Sequence, residues 1–268
     1  MNTVFENTQY SDIVELKNVT QAYGSTVIIK DLNLLVEADK TDKGQFIVIL
    51  GHSGCGKSTI LRYIAGLQEP TSGQVLICGK ERSQLGLSND RISMVFQQYS
   101  SLPWYSVLDN IVLGLKFAGV GKKEREEKAM DMIKLVGLEG HEHKYALYPV
   151  LSGGQLQRVA IARSLLTNSE ILLMDEPFGA LDIHTRLSMQ DLLASIWDKL
   201  KLTVIFVTHD ISEAVYLGDW IWLMSSNPGQ IVERIRVPLP YDRHKGLKRT
   251  KEFTDLVYDI EDKMMKLK

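Results

Sequence analysis

Gly51, His52, Ser53, Gly54, Cys55, Gly56, Lys57, Ser58 and Thr59 run without interruption between an apolar pentapeptide and a helical pattern. Glycines without a Cβ let the backbone curl around a polyphosphate, and the amides that open a helix, backed by its dipole, point at the anion. Lys57 would bring a point charge to the β- and γ-phosphates, and the Ser58 hydroxyl could ligate Mg²⁺. A glycine-rich turn that merely caps a helix is the plainer alternative. Against it stands the context, a buried-strand pattern at 46–50 before the loop and Ile60, Leu61 and Ile64 facing inward after it. A second constellation is Asp175 and Glu176, which close the apolar run 171–174. Carboxylates at the end of a buried strand need something to serve. Asp175 could hold Mg²⁺. Glu176, one residue on, is expected to point elsewhere because side chains alternate along an extended chain, and there it could orient or deprotonate a water attacking the γ-phosphate. Ser152, Gly153, Gly154 and Gln155 precede a helical pattern at 156–166. They read either as a second anion cradle or as a capping box in which Ser152 and Gln155 close on each other.

Positioning these groups calls for a sheet with helices packed on it. The run 46–50 has the unbroken apolar character of a parallel strand covered on both faces, and further buried strands are expected at 92–96, 170–174, 203–208 and 220–224. Short strands at 13–19, 27–29 and 32–36, broken at 23–25 and at Lys30-Asp31, predict a small antiparallel sheet ahead of them. Helical stripes appear at 122–136 (Ala129, Met132, Ile133, Val136) and 186–200 (Leu192, Leu193, Ile196, Leu200). After 237–240 comes a basic cluster (Arg243, His244, Lys245, Lys248, Arg249, Lys251), expected to be a solvated linker. A last amphipathic helix with Phe253, Leu256, Val257, Ile260 and Met264 aligned should pack on the body or on a partner.

Composition sets the outer limits. Of 268 residues, 31 are Lys or Arg and 33 are Asp or Glu, a net charge of −2 that gives no electrostatic footprint for a nucleic acid. Cys55 and Cys78 are the only cysteines, too few for a disulfide framework or a four-cysteine zinc site, and a reducing compartment is expected. The longest apolar stretches fall far short of the roughly 18 residues that span a bilayer. Residues 1–17 carry Glu6, Asp12 and Glu15 and have no apolar core, so a secretory signal is not expected.

The wording of 151–155, Leu-Ser-Gly-Gly-Gln, separates one group of phosphate-binding loops from the rest. There the chain resembles the ATP-binding cassette family, and the resemblance runs from about residue 13 to 236. It implies an α/β fold, a P-loop NTPase of the cassette type. A mostly parallel sheet core would be flanked by helices, with an antiparallel β subdomain and an inserted helical subdomain at about 98–166. The cassette would occupy 12–238, and 239–268 would be the basic linker and C-terminal helix. It implies ATP and Mg²⁺ as cofactors and assigns roles by position. Tyr23, which in isolation would read as a core residue, matches the aromatic that stacks on adenine. Gln97 matches the glutamine that reaches Mg²⁺ and the γ-phosphate, Asp182 the D-loop acid, and His209 the switch histidine at the γ-phosphate. Glu176, His209, Gln97 and Lys57 would be catalytic, and Ser58, Gln97 and Asp175 the metal ligands.

In this family the signature of one copy closes on the nucleotide held by another, so a second cassette, here a homodimer, is the first expected partner. Integral-membrane permease subunits are the second, with a solute-binding protein involved indirectly. The cassette would be cytoplasmic and peripheral on the inner face of the membrane. The aromatic segment 99–105 around Trp104 falls where a permease groove is expected, although internal packing of those rings is equally open. Segments 101–104 and 227–232 are most similar to nitrate, sulfonate or taurine importers; Val150 and the charged stretch 37–44 depart from the usual pattern. An exporter would share every catalytic residue. A soluble cassette protein acting on DNA or ribosomes would carry coiled-coil insertions or tandem cassettes, and neither is seen here.

Overall fold

The computed structural model describes residues 12–38, 44–85, 91–167, 169–240, 243 and 246–267. In chain order the elements are β1 (Asp12–Tyr23), β2 (Thr26–Glu37), β3 (Gln45–Gly51), α1 (Lys57–Ala65), β4 (Ser72–Ile77), β5 (Lys80–Glu81), β6 (Ile92–Val95), α2 (Val107–Ile111) and α3 (Leu113–Phe117). They continue with α4 (Lys122–Leu135), α5 (Gly153–Leu166), β7 (Ile171–Asp175), α6 (Ile183–Leu200), β8 (Thr203–Thr208), α7 (Ile211–Leu217), β9 (Trp220–Met224), β10 (Ile231–Arg236) and α8 (Lys251–Met265). Two compact units result, one from the described residues of 1–89 and 203–268, the other from those of 90–202.

In the first unit β3 is central. Its residues 46–50 are at most 1% exposed, and it pairs in parallel with both β8 and β9, while β10 runs antiparallel to β9. So apolar a strand must be covered, and α1 and α7 pack on it. Asp219 ties its start, accepting from the Phe46 amide at 3.0 Å and donating from its own amide to the Phe46 carbonyl at 2.8 Å. The antiparallel sheet has the order β2-β1-β4-β5. Lys30-Asp31 does not break it. β2 runs on through Asp31, which adopts φ 47°, and its amide donates to Thr20 Oγ1 at 3.1 Å, so the sequence signal for a turn marks a bulge instead.

The basic cluster is not simply solvated. The Arg243 side chain is 2% exposed, donates to the Gly218 carbonyl at 2.8 Å and pairs with Asp219 at 3.6 Å, while Lys248 stands 4.1 Å over the Tyr216 ring. His244 and Lys245 lie outside the described residues. The C-terminal helix packs on its own unit. Phe253, Ile260 and Met264 are buried, α8 lies against α7, and Lys263 reaches Glu233 of β10 at 2.5 Å.

In the second unit β6 and β7 pair in parallel. α5 is buried nearly all round, from Leu156 to Leu166, which marks it as the helix on which α2, α3, α4 and α6 assemble. The α4 stripe buries Ala129 and Ile133 as its spacing predicts. On α6 the stripe ends differently. Leu200 is exposed, and the fully buried Trp197 closes the helix instead, its Nε1 donating to the Leu202 carbonyl at 3.1 Å. Among the described residues no helix is long and apolar enough to cross a membrane.

Candidate nucleotide site

The first unit carries Tyr23, the loop 51–59 and His209. β3 delivers the loop and α1 receives it. Gly54 (φ 82°) and Gly56 (φ 104°) occupy the left-handed region that side chains avoid, and a Cβ on Gly56 would lie 2.8 Å from Ile29 Cγ1, so the loop can take this shape only with glycine there. Gly56 is also the N-cap of α1 and offers no side-chain cap bond, so no side chain of the cap residue stands between the helix start and an incoming anion. Lys57 is 4% exposed and spans the loop, its Nζ donating to the carbonyls of Gly51 (2.8 Å) and His52 (2.9 Å). Ser58 and Thr59 follow, half-buried, and Cys55 is buried and in no disulfide. The result is a glycine turn that feeds a helix start carrying no side-chain cap, with a buried lysine beside it, the arrangement an oxyanion site uses.

Gly51, His52 and Ser53 share one depression of about 350 Å³ with His209. The histidine sits in the turn between β8 and α7, and that turn is clamped by a buried carboxylate that sequence reasoning missed. Glu213 accepts from the Thr208 hydroxyl at 2.8 Å and donates its amide to Asp210 at 3.0 Å, while the Asp210 amide donates back to Thr208 at 3.0 Å. The signal available was the Thr-His-Asp-x-x-Glu spacing, which puts an acid at the third residue of a helix capped by Asp. Tyr23 lines no part of that depression. It is 56% exposed, with its hydroxyl accepting from Gln68 at 2.9 Å, which removes the core reading and leaves its ring face available.

The second unit carries Gln97, the segment 152–155, Asp175, Glu176 and Asp182. Asp175 ends β7 and is 7% exposed. Strand alternation does not set the direction of Glu176, because β7 ends at Asp175. The chain leaves the strand at that residue, which adopts φ 41°, a conformation that costs a non-glycine residue about 1–3 kcal/mol and that surrounding structure must maintain. Gln97, exposed, brings its Nε2 beside Gly179, three residues beyond the acidic pair. Ser152 caps α5 with a complete capping box. Its hydroxyl accepts from the Gln155 amide at 3.3 Å, and its amide donates to Gln155 Oε1 at 2.9 Å. Gly153 leaves room for the Tyr99 hydroxyl and Gly154 for the Thr185 methyl. Asp182 caps α6, accepting from the Thr185 amide at 3.1 Å, and hydrogen bonds from Thr185 hold its carboxyl below the usual range. That cap is why α6 begins at residue 183 and not at 186, as its apolar stripe alone suggests.

These observations can be set against known proteins. A family model described as "ABC transporter" matches residues 38–179. A taurine import ATP-binding protein of Rhizobium johnstonii is 51% identical over 79% of this chain and 78% of its own length. A nitrate import ATP-binding protein of Synechocystis is 44% identical over 85% of this chain and 82% of its own. Among solved structures, a dimeric ATP-binding cassette in a post-hydrolysis state, bound to ADP and Pi, superimposes with a TM-score of 0.72 at 34% identity, covering 85% of this chain and all of that one.

Proposed function

This chain belongs to the ABC transporter family as an ATP-hydrolysing cassette, and from that premise we propose that two copies sandwich two ATP molecules and drive solute import through separate permease subunits. The observation that carries the reading is the loop of the first unit, where an uncapped helix start, two left-handed glycines and a buried lysine converge. Lys57 and the amides of 53–59 bind the polyphosphate, and Tyr23 stacks on the base. The donors proposed for Mg²⁺ are the Ser58 hydroxyl, the buried Asp175 carboxylate and the Gln97 amide oxygen; all are hard oxygen ligands of the kind that ion takes. When bound, the ion would neutralise charge on the β- and γ-phosphates. Glu176 accepts the proton of the attacking water, held off the strand by its left-handed backbone. His209, in its clamped turn, contacts the γ-phosphate. Ser152 to Gln155, with Asp182, meet the nucleotide held by the opposite copy. Loss of the γ-phosphate removes what both halves grip, so the closed state no longer has its differential affinity.

Import through a taurine-, sulfonate- or nitrate-type permease is supported by the names of the relatives; an exporter would share the catalytic residues but not that kinship. With it come an inner-face location and a solute-binding protein acting on the permease. We assign the cassette to 12–238, its helical subdomain to about 98–166, and the tail to 239–268. Trp104 is 66% exposed, and Tyr145 and Tyr148 are exposed as well, which favours permease contact over internal packing for this surface. Trp104→Ala should therefore abolish co-purification with the permease while ATP binding persists; unchanged co-purification would remove the docking assignment. For the chemistry, Glu176→Gln should lower phosphate release about a thousandfold at unchanged nucleotide affinity. Normal turnover in that variant would deny Glu176 its role.

A further inference from the structure

We propose that the cleft bounded by α2, α3 and the start of α4 is a binding site for a phosphate-class oxyanion, separate from the nucleotide loop. The cleft, about 280 Å³, is lined by Tyr105, Asp109, Lys116, Lys122, Arg125 and Glu126 with two apolar neighbours, so three cations and two carboxylates face it. Both carboxylates are already engaged. Asp109 sits in the first turn of α2 and accepts from the Ser106 hydroxyl at 2.6 Å, and Glu126 pairs with Lys122 at 3.8 Å. Glu124, in the same first turn of α4, is taken by Lys128 at 2.7 Å.

Two cations remain. Lys116 has no carboxylate partner among the described residues and stands 5.9 Å over the Tyr105 ring. Arg125 is held by one end only. Its Nη1 donates to the Val120 carbonyl at 3.0 Å, while its Nε is enclosed with no acceptor, and a small rotation of the guanidinium would offer that donor to an anion in the cleft. α4 is 14 residues long and its N-cap, Gly121, contributes no side-chain bond, so the amides and the dipole at this end are unspent too. A guanidinium, an ammonium and open helix amides make the donor set that a multi-oxygen dianion satisfies. The volume exceeds one such group, so the phosphate could be free or carried on a larger molecule, such as a lipid headgroup.

The test uses the full chain with the nucleotide loop filled by Mg²⁺ and a nonhydrolysable ATP analogue, so that added phosphate cannot enter there. Inorganic phosphate is titrated calorimetrically, and flotation is measured with phosphatidylcholine vesicles with and without phosphatidylglycerol. Saturable phosphate binding supports the site with a free ligand; flotation that requires phosphatidylglycerol supports it with a headgroup ligand. In either arm Lys116→Ala with Arg125→Ala should weaken the interaction at least about tenfold, because hydrogen bonds to charged groups are lost, and Arg125→Lys should retain part of it. ATP turnover without added phosphate should be unaltered. If the loss of Arg125 impairs folding, the exposed Lys116→Gln must show the weakening by itself. Absence of both signals, or variants that bind like the parent, overturns the proposal.

Discussion

Residues 51–58 and 151–155 are both glycine-rich turns that feed a helix, yet they end in opposite states. At α1 the cap is a glycine in the left-handed region with no side chain to offer, and Lys57 is folded inward beneath the loop. At α5 the cap is Ser152, and its hydroxyl, its amide and the Gln155 side chain satisfy one another; the Gln155 amide nitrogen also lies 3.3 Å from His141 Nε2. An anion arriving at the first turn meets no side-chain cap. At the second it must compete with a cap worth about 0.5–2 kcal/mol. On the function proposed above, a single cassette holds nucleotide through its own loop, while the signature turn contributes only when a second copy presents it to a phosphate already bound. On that reading, similar residue types supply a standing site in one place and a conditional one in the other.

The largest separation of the two turns should come from Lys57→Ala. Removing a buried, doubly hydrogen-bonded charge from the first turn should weaken ATP binding by about a hundredfold or more, measured on the isolated chain with a fluorescent nucleotide. An unchanged affinity would mean that the first turn is not the standing site. Ser152→Ala should behave differently. Nucleotide affinity of the isolated chain should stay as it was, thermal unfolding should report about 1 kcal/mol of lost cap, and turnover at high protein concentration should fall about tenfold. Ser152→Gly sharpens the point, since glycine costs a cap only a few tenths of a kcal/mol; its turnover should fall as in Ser152→Ala although its stability barely moves.

Local chemistry was the legible part of this molecule. The glycine turn at 51–58, the acid pair at the end of β7 and the strand cores at 46–50, 203–208 and 220–224 each rest on contiguous residues whose pattern is their structure. What escaped reading depends on partners far away in sequence. β10 escaped because an edge strand that alternates between half-buried and exposed residues looks like any polar stretch. Arg243 sat in a run of cations, and only the packing of α7 and β9 puts Asp219 beside it. Arg82, whose guanidinium donates to the carbonyls of Ile64 (3.1 Å) and Ala65 (2.6 Å) and so closes the end of α1, gave no local sign of that role. Glu176 marks the boundary between the two cases. Its identity was readable, but its left-handed backbone was not, because nothing about a glutamate predicts φ 41°.

The central claim is that the nucleotide completes its site only across two copies. Its most direct measurement is the solution mass of the Glu176→Gln chain, by light scattering, with Mg²⁺ and saturating ATP and then with ADP. A dimer is expected with ATP and a monomer with ADP. A monomer in both, or a dimer of equal stability in both, would contradict it.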